Sequence, residues 1–431
     1  MLRLNGLKIN SRIDIITLLA GFMLTLAIGV GVGVYITVRN VARQDLFKPN
    51  KLSRPDDFPW ALRLGWRLAW AQTPDHRTPE YARKLNEADS LLGFDAGVIG
   101  SLNEIKKYDW QAQKDIPRAQ KAVREAFIAR LGRKLDYVDS PLLKIHAVQE
   151  LKGGLQRVIF SAPAEPGYRI KGCMILPPGE KKHPAVVIAY GAGGSIFNTC
   201  GWEINTYHND MGLKLAKKGF VTVVYVLRGM NHDAWDWGKP EWEPLQYESF
   251  VGYTLLRGST PMNIWANDGV QVVKAIERHP RVDTDKIMFA GISHGGQIAM
   301  YAGAMETKRI KGVLAMGSFL SFEDLYTAIH HWTGHIIPNI GSVGDMGDIA
   351  ALIAPRPLLI LWGEKEDAKY LGRIGTLRES SLAEFERVKQ VYERLGAGQH
   401  IHKFITLKAG HQFDVEGAVH FLGRYYPRPT N

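Results

Sequence analysis

Gly291-Ile292-Ser293-His294-Gly295-Gly296 follows the apolar run Ile287-Met288-Phe289-Ala290 and leads into Gln297-Ile298-Ala299-Met300-Tyr301-Ala302, a stretch of helical character. The segment reads as a strand, a sharp turn and a helix, with a serine at the tip of the turn. A serine hydroxyl becomes a useful nucleophile when it is lifted clear of its neighbours, faced by a base, and placed beside backbone N–H groups that receive a developing oxyanion. A tight strand-to-helix turn meets all three needs. Glycines at 291 and 295 fit because strand and helix pass too closely there for side chains.

Such a serine needs an acid and then a histidine further along the chain. Pro355 to Gly363 reads as a short buried strand bounded by prolines and a glycine, and Glu364, Glu366 and Asp367 follow it. His402 to Leu407 is a further strand candidate, and the turn Lys408-Ala409-Gly410 delivers His411 to the same edge. His411 is the expected base, taking the Ser293 proton and returning it to the leaving alcohol. Asp367 is the first choice for the acid and Glu366 the alternative. Glu323 and Asp324, after the strand candidate Ile310–Met316, remain open as well. For the oxyanion, the expected donors are the backbone N–H groups of His294 and of Ala192. The latter lies in Tyr190-Gly191-Ala192-Gly193-Gly194, a glycine-rich loop after the strand candidate Pro184–Ala189. A phosphate-binding reading of this loop fails, because no Lys-Ser or Lys-Thr follows and the Gly-x-Gly-x-x-Gly spacing is absent.

These residues resemble the acetylxylan esterase and dienelactone hydrolase-like branch of the α/β-hydrolases. The likeness runs through Pro184–Gly194, Arg281 to the elbow, Asp345 to Pro357, and Gly410-His411. Ala119–Lys134 is similar to the helix preceding that core, and Ile145–Leu176 to its opening antiparallel strands. The resemblance spans roughly residues 115–431 and implies an α/β-hydrolase fold, a mostly parallel sheet flanked by helices, that cleaves carboxylic esters through an acyl-enzyme. It implies no cofactor and no metal, with a small-molecule or carbohydrate ester as substrate. Two positions depart from the family pattern. The family's acid falls where this chain has Glu366, and Asp367 fits with a one-residue insertion. Tyr190 stands where histidine is common. A serine peptidase or thioesterase of the same fold uses the same constellation, and a non-catalytic tethered binding protein is the alternative outside enzymes.

Ahead of this region, Ile15–Val38 is a run of 24 residues without a charge. At about 1.5 Å per residue it spans about 36 Å, enough for a hydrocarbon core of about 30 Å. It is expected to be an uncleaved transmembrane anchor, since a signal peptide's apolar region is about 7 to 15 residues with an Ala-x-Ala-like exit. The implied organisation is a basic leader over 1–14, the anchor over 15–38, a helical linker over 39–114 and the catalytic domain over 115–431. In the linker, Phe58, Leu62, Trp66 and Trp70 share one helical face, suited either to the lipid headgroups or to packing on the catalytic domain. Positive residues flank both ends of the anchor. The positive-inside bias slightly favours a cytoplasmic catalytic domain, whereas a basic leader before one long span resembles a signal anchor that exports the chain beyond it. The extracytoplasmic side is preferred.

The net charge of +11 is concentrated near the anchor: residues 1–150 carry 23 Lys and Arg against 16 Asp and Glu, and residues 151–431 carry 31 against 27. This suits anionic lipid rather than nucleic acid, for which no motif is present. Cys173 and Cys200 are the only cysteines and are expected as two buried thiols. His330, His331 and His335 lack the glutamate of a zinc-protease motif and are expected in a surface or lid segment. The aromatic stretch Arg228–Met262, with Phe319–Val343, is expected to overhang the catalytic edge.

Overall fold

The computed structural model describes residues 2–4, 7–9, 105, 107–203, 206–230, 244–327, 333–366 and 376–426. The chain divides into two compact units, Met1–Leu102 and Asn103–Asn431. In the first, Leu2–Leu4 pairs antiparallel with Leu7–Ile9. The expected anchor over 15–38 and the helix face of Phe58 to Trp70 lie outside the described residues. Among the described residues, no helix is long and apolar enough to cross a membrane.

The second unit is built on nine strands: β1 Lys144–Glu150, β2 Gln156–Pro163, β3 Arg169–Leu176, β4 His183–Ala189, β5 Val221–Tyr225, β6 Val282–Ile292, β7 Gly312–Met316, β8 Leu358–Gly363 and β9 Ile401–Thr406. Their order is β9-β8-β7-β6-β4-β5-β3-β2-β1. Strands β1, β2, β3 and β5 pair antiparallel in sequence, while β5, β4, β6, β7, β8 and β9 run parallel. The composition explains the layers. Strands β4, β5, β7 and β8 are mostly apolar and buried along their whole length, as strands covered on both faces must be. By contrast β9 alternates Ile, His, Lys, Phe, Ile and Thr, and β1 is exposed throughout, as suits the two edges.

Helix His294–Met305 packs beside Pro261–Ile276, Ile116–Leu131 and Met346–Ala351, whereas Met211–Lys217 packs with Val415–Tyr425. Asp115 caps the helix Ile116–Leu131 through the Arg118 N–H, at 3.0 Å. Residues 107–113, placed in the linker from the sequence, belong to this unit. Trp110 donates its indole N–H to Asp348 at 2.8 Å, and Asp348 also receives the Arg387 guanidinium at 2.6 Å. Arg356 is half-buried in the stretch that carried the family likeness. It donates to the carbonyls of Gly303, Ile310 and Glu306, so it fastens the end of the helix His294–Met305 to the start of β7 and β8. Burial lowers its pKa to about 10, a value that still leaves it charged at neutral pH.

Arg228, just past β5, is held by four groups from distant parts of the chain. Its Nε and Nη2 donate to the two oxygens of Asp268 at 2.7 and 2.5 Å, Nη1 to Glu165 at 2.5 Å, and Nη2 to the Tyr137 hydroxyl at 2.9 Å. Tyr168 stacks on the guanidinium at 4.1 Å. Burial works against the charge of Arg228, but Asp268, Tyr137 and Glu165 outweigh it and hold the guanidinium protonated. Asp268 is completely buried. Arg228→Met is therefore expected to leave an uncompensated carboxylate and to lower the unfolding free energy by about 3–5 kcal/mol. Urea denaturation followed by tryptophan fluorescence measures this, and a loss below about 1 kcal/mol would show that the pair stabilises no more than a surface one.

Candidate active site

Parallel strands bring their carboxyl ends to one rim, so the segments after β4, β6, β7, β8 and β9 meet there. Ser293 occupies the turn after β6 with φ 57° and ψ −126°, a left-handed conformation unfavourable for a residue with a side chain. Its N–H donates to the Met316 carbonyl at the end of β7, at 2.7 Å. Strand and helix close in tightly around it. A Cβ on Gly291 would stand 2.1 Å from the Gly295 oxygen, and one on Gly295 would stand 2.0 Å from the Ala189 oxygen.

Next to Met316, Gly317 faces the other two members. A Cβ there would lie 2.4 Å from Glu366 Oε1 and 2.8 Å from His411 Nδ1. Those two atoms are themselves hydrogen-bonded at 2.6 Å. Both side chains are largely buried, and Glu366 Oε2 also accepts the Gly363 N–H at 2.9 Å. The turns after β8 and β9 are stitched together by Glu364 N–H to Thr406 O at 3.0 Å and Lys365 N–H to Ala409 O at 2.8 Å. The partner of His411 Nδ1 is thus Glu366, the alternative acid, rather than the first choice. Asp367 lies outside the described residues. The remaining carboxylates are engaged elsewhere: Glu364 accepts the Lys408 N–H, and Asp324 accepts the Ser321 hydroxyl at 2.8 Å. Glu323 is exposed on the helix Phe322–Thr327.

The glycine-rich loop passes directly over the nucleophile. A Cβ on Gly191 would be 3.1 Å from Ser293 Cβ. Gly194 N–H closes a turn on the Gly191 carbonyl at 2.9 Å, with Gly193 at φ 73°. Ala192 sits within that turn, partly exposed. His294 opens the helix after Ser293, and its ring points into the core, edge-on to Trp265 at 4.4 Å.

Three residues near the site carried no legible sequence signal for their placement. His335 was expected in a surface or lid segment, yet it is buried, and its Nε2 meets His294 Nδ1. One of the two rings must donate and the other accept, so at least one is neutral. His330 and His331 lie outside the described residues. Tyr207 and His208, from the segment between the glycine loop and the helix Met211–Lys217, contact the glycine loop. The Tyr207 hydroxyl donates to Ala192 O at 2.5 Å, and Gly191 N–H donates to His208 Nε2 at 3.0 Å. Part of the aromatic stretch packs on the core: Tyr247 and Phe250 lie against Trp265 at 6.5 and 5.7 Å. Cys173 and Cys200 are free, buried thiols.

The strand order, the strained serine turn and the rim they share are those of an α/β-hydrolase. Residues 147–330 match the family model of the acetyl xylan esterases. That segment contains the glycine loop and Ser293 but ends ahead of Glu366 and His411. Among solved structures, the methylesterase BT1017 is 22% identical, with a TM-score of 0.51, over 72% of this chain and 63% of its own length. A Bacteroides fragilis protein described as a candidate acetyl xylan esterase is 18% identical, with a TM-score of 0.53, over 67% of this chain and 75% of that one. A glucuronoyl esterase from Solibacter usitatus is 14% identical, with a TM-score of 0.52, over 73% and 92%. No curated protein matches the chain. The chain thus has the α/β-hydrolase fold, and over residues 147–330 it is similar to the acetyl xylan esterases.

Proposed function

We propose that this chain is a serine hydrolase that cleaves a carboxylic ester, with Ser293 as nucleophile, His411 as base and Glu366 as the acid that orients it. The observation that carries this reading is the buried Glu366–His411 hydrogen bond at the rim onto which the strained Ser293 turn opens. With Nδ1 engaged by Glu366, the imidazole is held in the tautomer whose Nε2 accepts the serine proton. Ser293 Oγ attacks the ester carbonyl as His411 takes its proton, and the tetrahedral oxyanion is received by the Ala192 and His294 N–H groups. Collapse expels the alcohol, protonated by His411. Water activated by the same base then releases the acid and regenerates Ser293.

The acetyl xylan esterase family match supports a carbohydrate ester as substrate. A fluorophosphonate probe tests the nucleophile: wild type is expected to label at Ser293, and absence of labelling would sink the reading. A panel of acyl esters alongside thioesters and peptides tests the reaction class, and faster turnover of either alternative would redirect it. The apolar run Ile15–Val38 further supports an uncleaved membrane anchor, with the catalytic unit on the extracytoplasmic side. Carbonate washing is expected to leave the full-length protein in the membrane pellet. Release into the supernatant would mean the run does not anchor it.

A further inference from the structure

We propose that Tyr207 and His208 are positioning residues of the oxyanion site, holding the glycine turn so that the Ala192 N–H, and not that of Gly191, faces the substrate oxygen above Ser293. The inference rests on the hydrolase reading above and adds residues that neither the motif nor the triad includes. Two peptide groups at Gly191 are spoken for. Gly191 N–H donates to His208 Nε2 at 3.0 Å, and Gly191 C=O accepts from Gly194 N–H at 2.9 Å. In a trans peptide the N–H points opposite to the carbonyl, so pinning the Gly191 oxygen aims the Ala192 N–H the other way. That N–H makes no hydrogen bond within the described residues. On the far side of Ala192, its carbonyl is held by the Tyr207 hydroxyl at 2.5 Å.

His208 fits this task chemically. Its ring is fully buried, and a Cβ on Gly194 would stand 2.3 Å from Nε2, so the loop accommodates the ring only because residue 194 is glycine. Burial first, and the nearby His411 with it, lowers its pKa to about 3. The ring is neutral at any working pH, and Nε2 keeps the lone pair that a backbone donor requires.

The same short segment also grips the loop of the base. Phe413 N–H donates to Tyr207 O at 2.9 Å, Asn209 Nδ2 donates to Phe413 O at 2.9 Å, and the Tyr207 and His411 rings lie 5.2 Å apart. Asn209 and Asp210 both take left-handed backbone angles, φ 53° and 45°, as expected where surrounding contacts override local preference. Residues 207–209 therefore fix the distance between the oxyanion donors and the general base.

The test is p-nitrophenyl acetate turnover by the full-length protein, read alongside the rate of Ser293 phosphonylation. Losing one aligned oxyanion donor lowers kcat by about 10²–10³-fold. His208→Ala is expected to lower kcat by about 10²-fold with KM changed less than about 3-fold, and to slow phosphonylation in parallel. His208→Gln, which returns an acceptor near the Nε2 position, is expected to recover about tenfold of that loss. Tyr207→Phe removes one hydrogen bond while keeping the ring beside His411, and is expected to lower kcat about 5-fold. A folded His208→Ala with kcat within about 3-fold of wild type overturns the proposal. So does a Tyr207→Phe variant of unchanged kcat, which decides the matter should His208→Ala not fold. Wild-type turnover with unaffected variants overturns this proposal alone, whereas a wild type that cleaves no ester and takes no probe overturns the triad as well.

Discussion

Replacing Ser293 with alanine is expected to lower ester turnover by about 10⁶-fold, the scale on which serine triads lose activity when the nucleophile is removed. The size follows from what the hydroxyl does. Without it no acyl-enzyme forms, and the oxyanion donors and binding groups are left to assist direct attack by water, a residual catalysis of about 10³–10⁴ over the uncatalysed reaction. The substitution leaves the scaffold in place. Alanine bears the same Cβ as serine at φ 57°, the Ser293 N–H to Met316 bond belongs to the backbone, and the Ser293 side chain makes no capping bond to the helix it precedes. The melting temperature should therefore stay close to that of wild type while both turnover and fluorophosphonate labelling vanish. Turnover within about tenfold of wild type would remove Ser293 from the chemistry and with it the hydrolase reading.

The backbone of this site was legible because its signals are local. Apolar runs ending in small residues mark β4, β6 and β8, and each delivers its functional segment to the same rim by virtue of running parallel. The elbow glycines announce a close approach of strand and helix that the Gly291 and Gly295 contacts reproduce. What stayed hidden depends on contacts between segments far apart in sequence. His335 is buried because the ring of His294 receives it, a pairing across 41 positions with no periodic trace. Tyr207 and His208 take their meaning from Gly191, Ala192 and Phe413, on two different loops. A tyrosine beside a histidine in an irregular segment carries no pattern that separates such a role from an ordinary turn.

The acid gives the sharpest case, and it sets the second large effect. Glu366→Gln is expected to cost about 10⁴-fold in kcat, while Asp367→Asn leaves it within a few-fold of wild type. The triad acid selects the imidazole tautomer and stabilises the imidazolium, and an amide in its place can present an N–H to Nδ1, which favours the wrong tautomer with little change in shape. Spacing alone could not decide between carboxylates at 364, 366 and 367, because their directions are set by how the turn after β8 lies on the turn after β9. Thr406 and Ala409, more than forty residues further along, accept the N–H groups of Glu364 and Lys365, and this turns Glu366 inward to His411 Nδ1 at 2.6 Å. The Gly363 N–H on Oε2 fixes the remaining oxygen. Gln at 366 retains the length and much of that bonding, so the variant should fold, and circular dichroism can confirm that it does. Should Asp367→Asn show the larger loss, the acid moves one residue along the turn. Glu366 would then be a structural neighbour of the base.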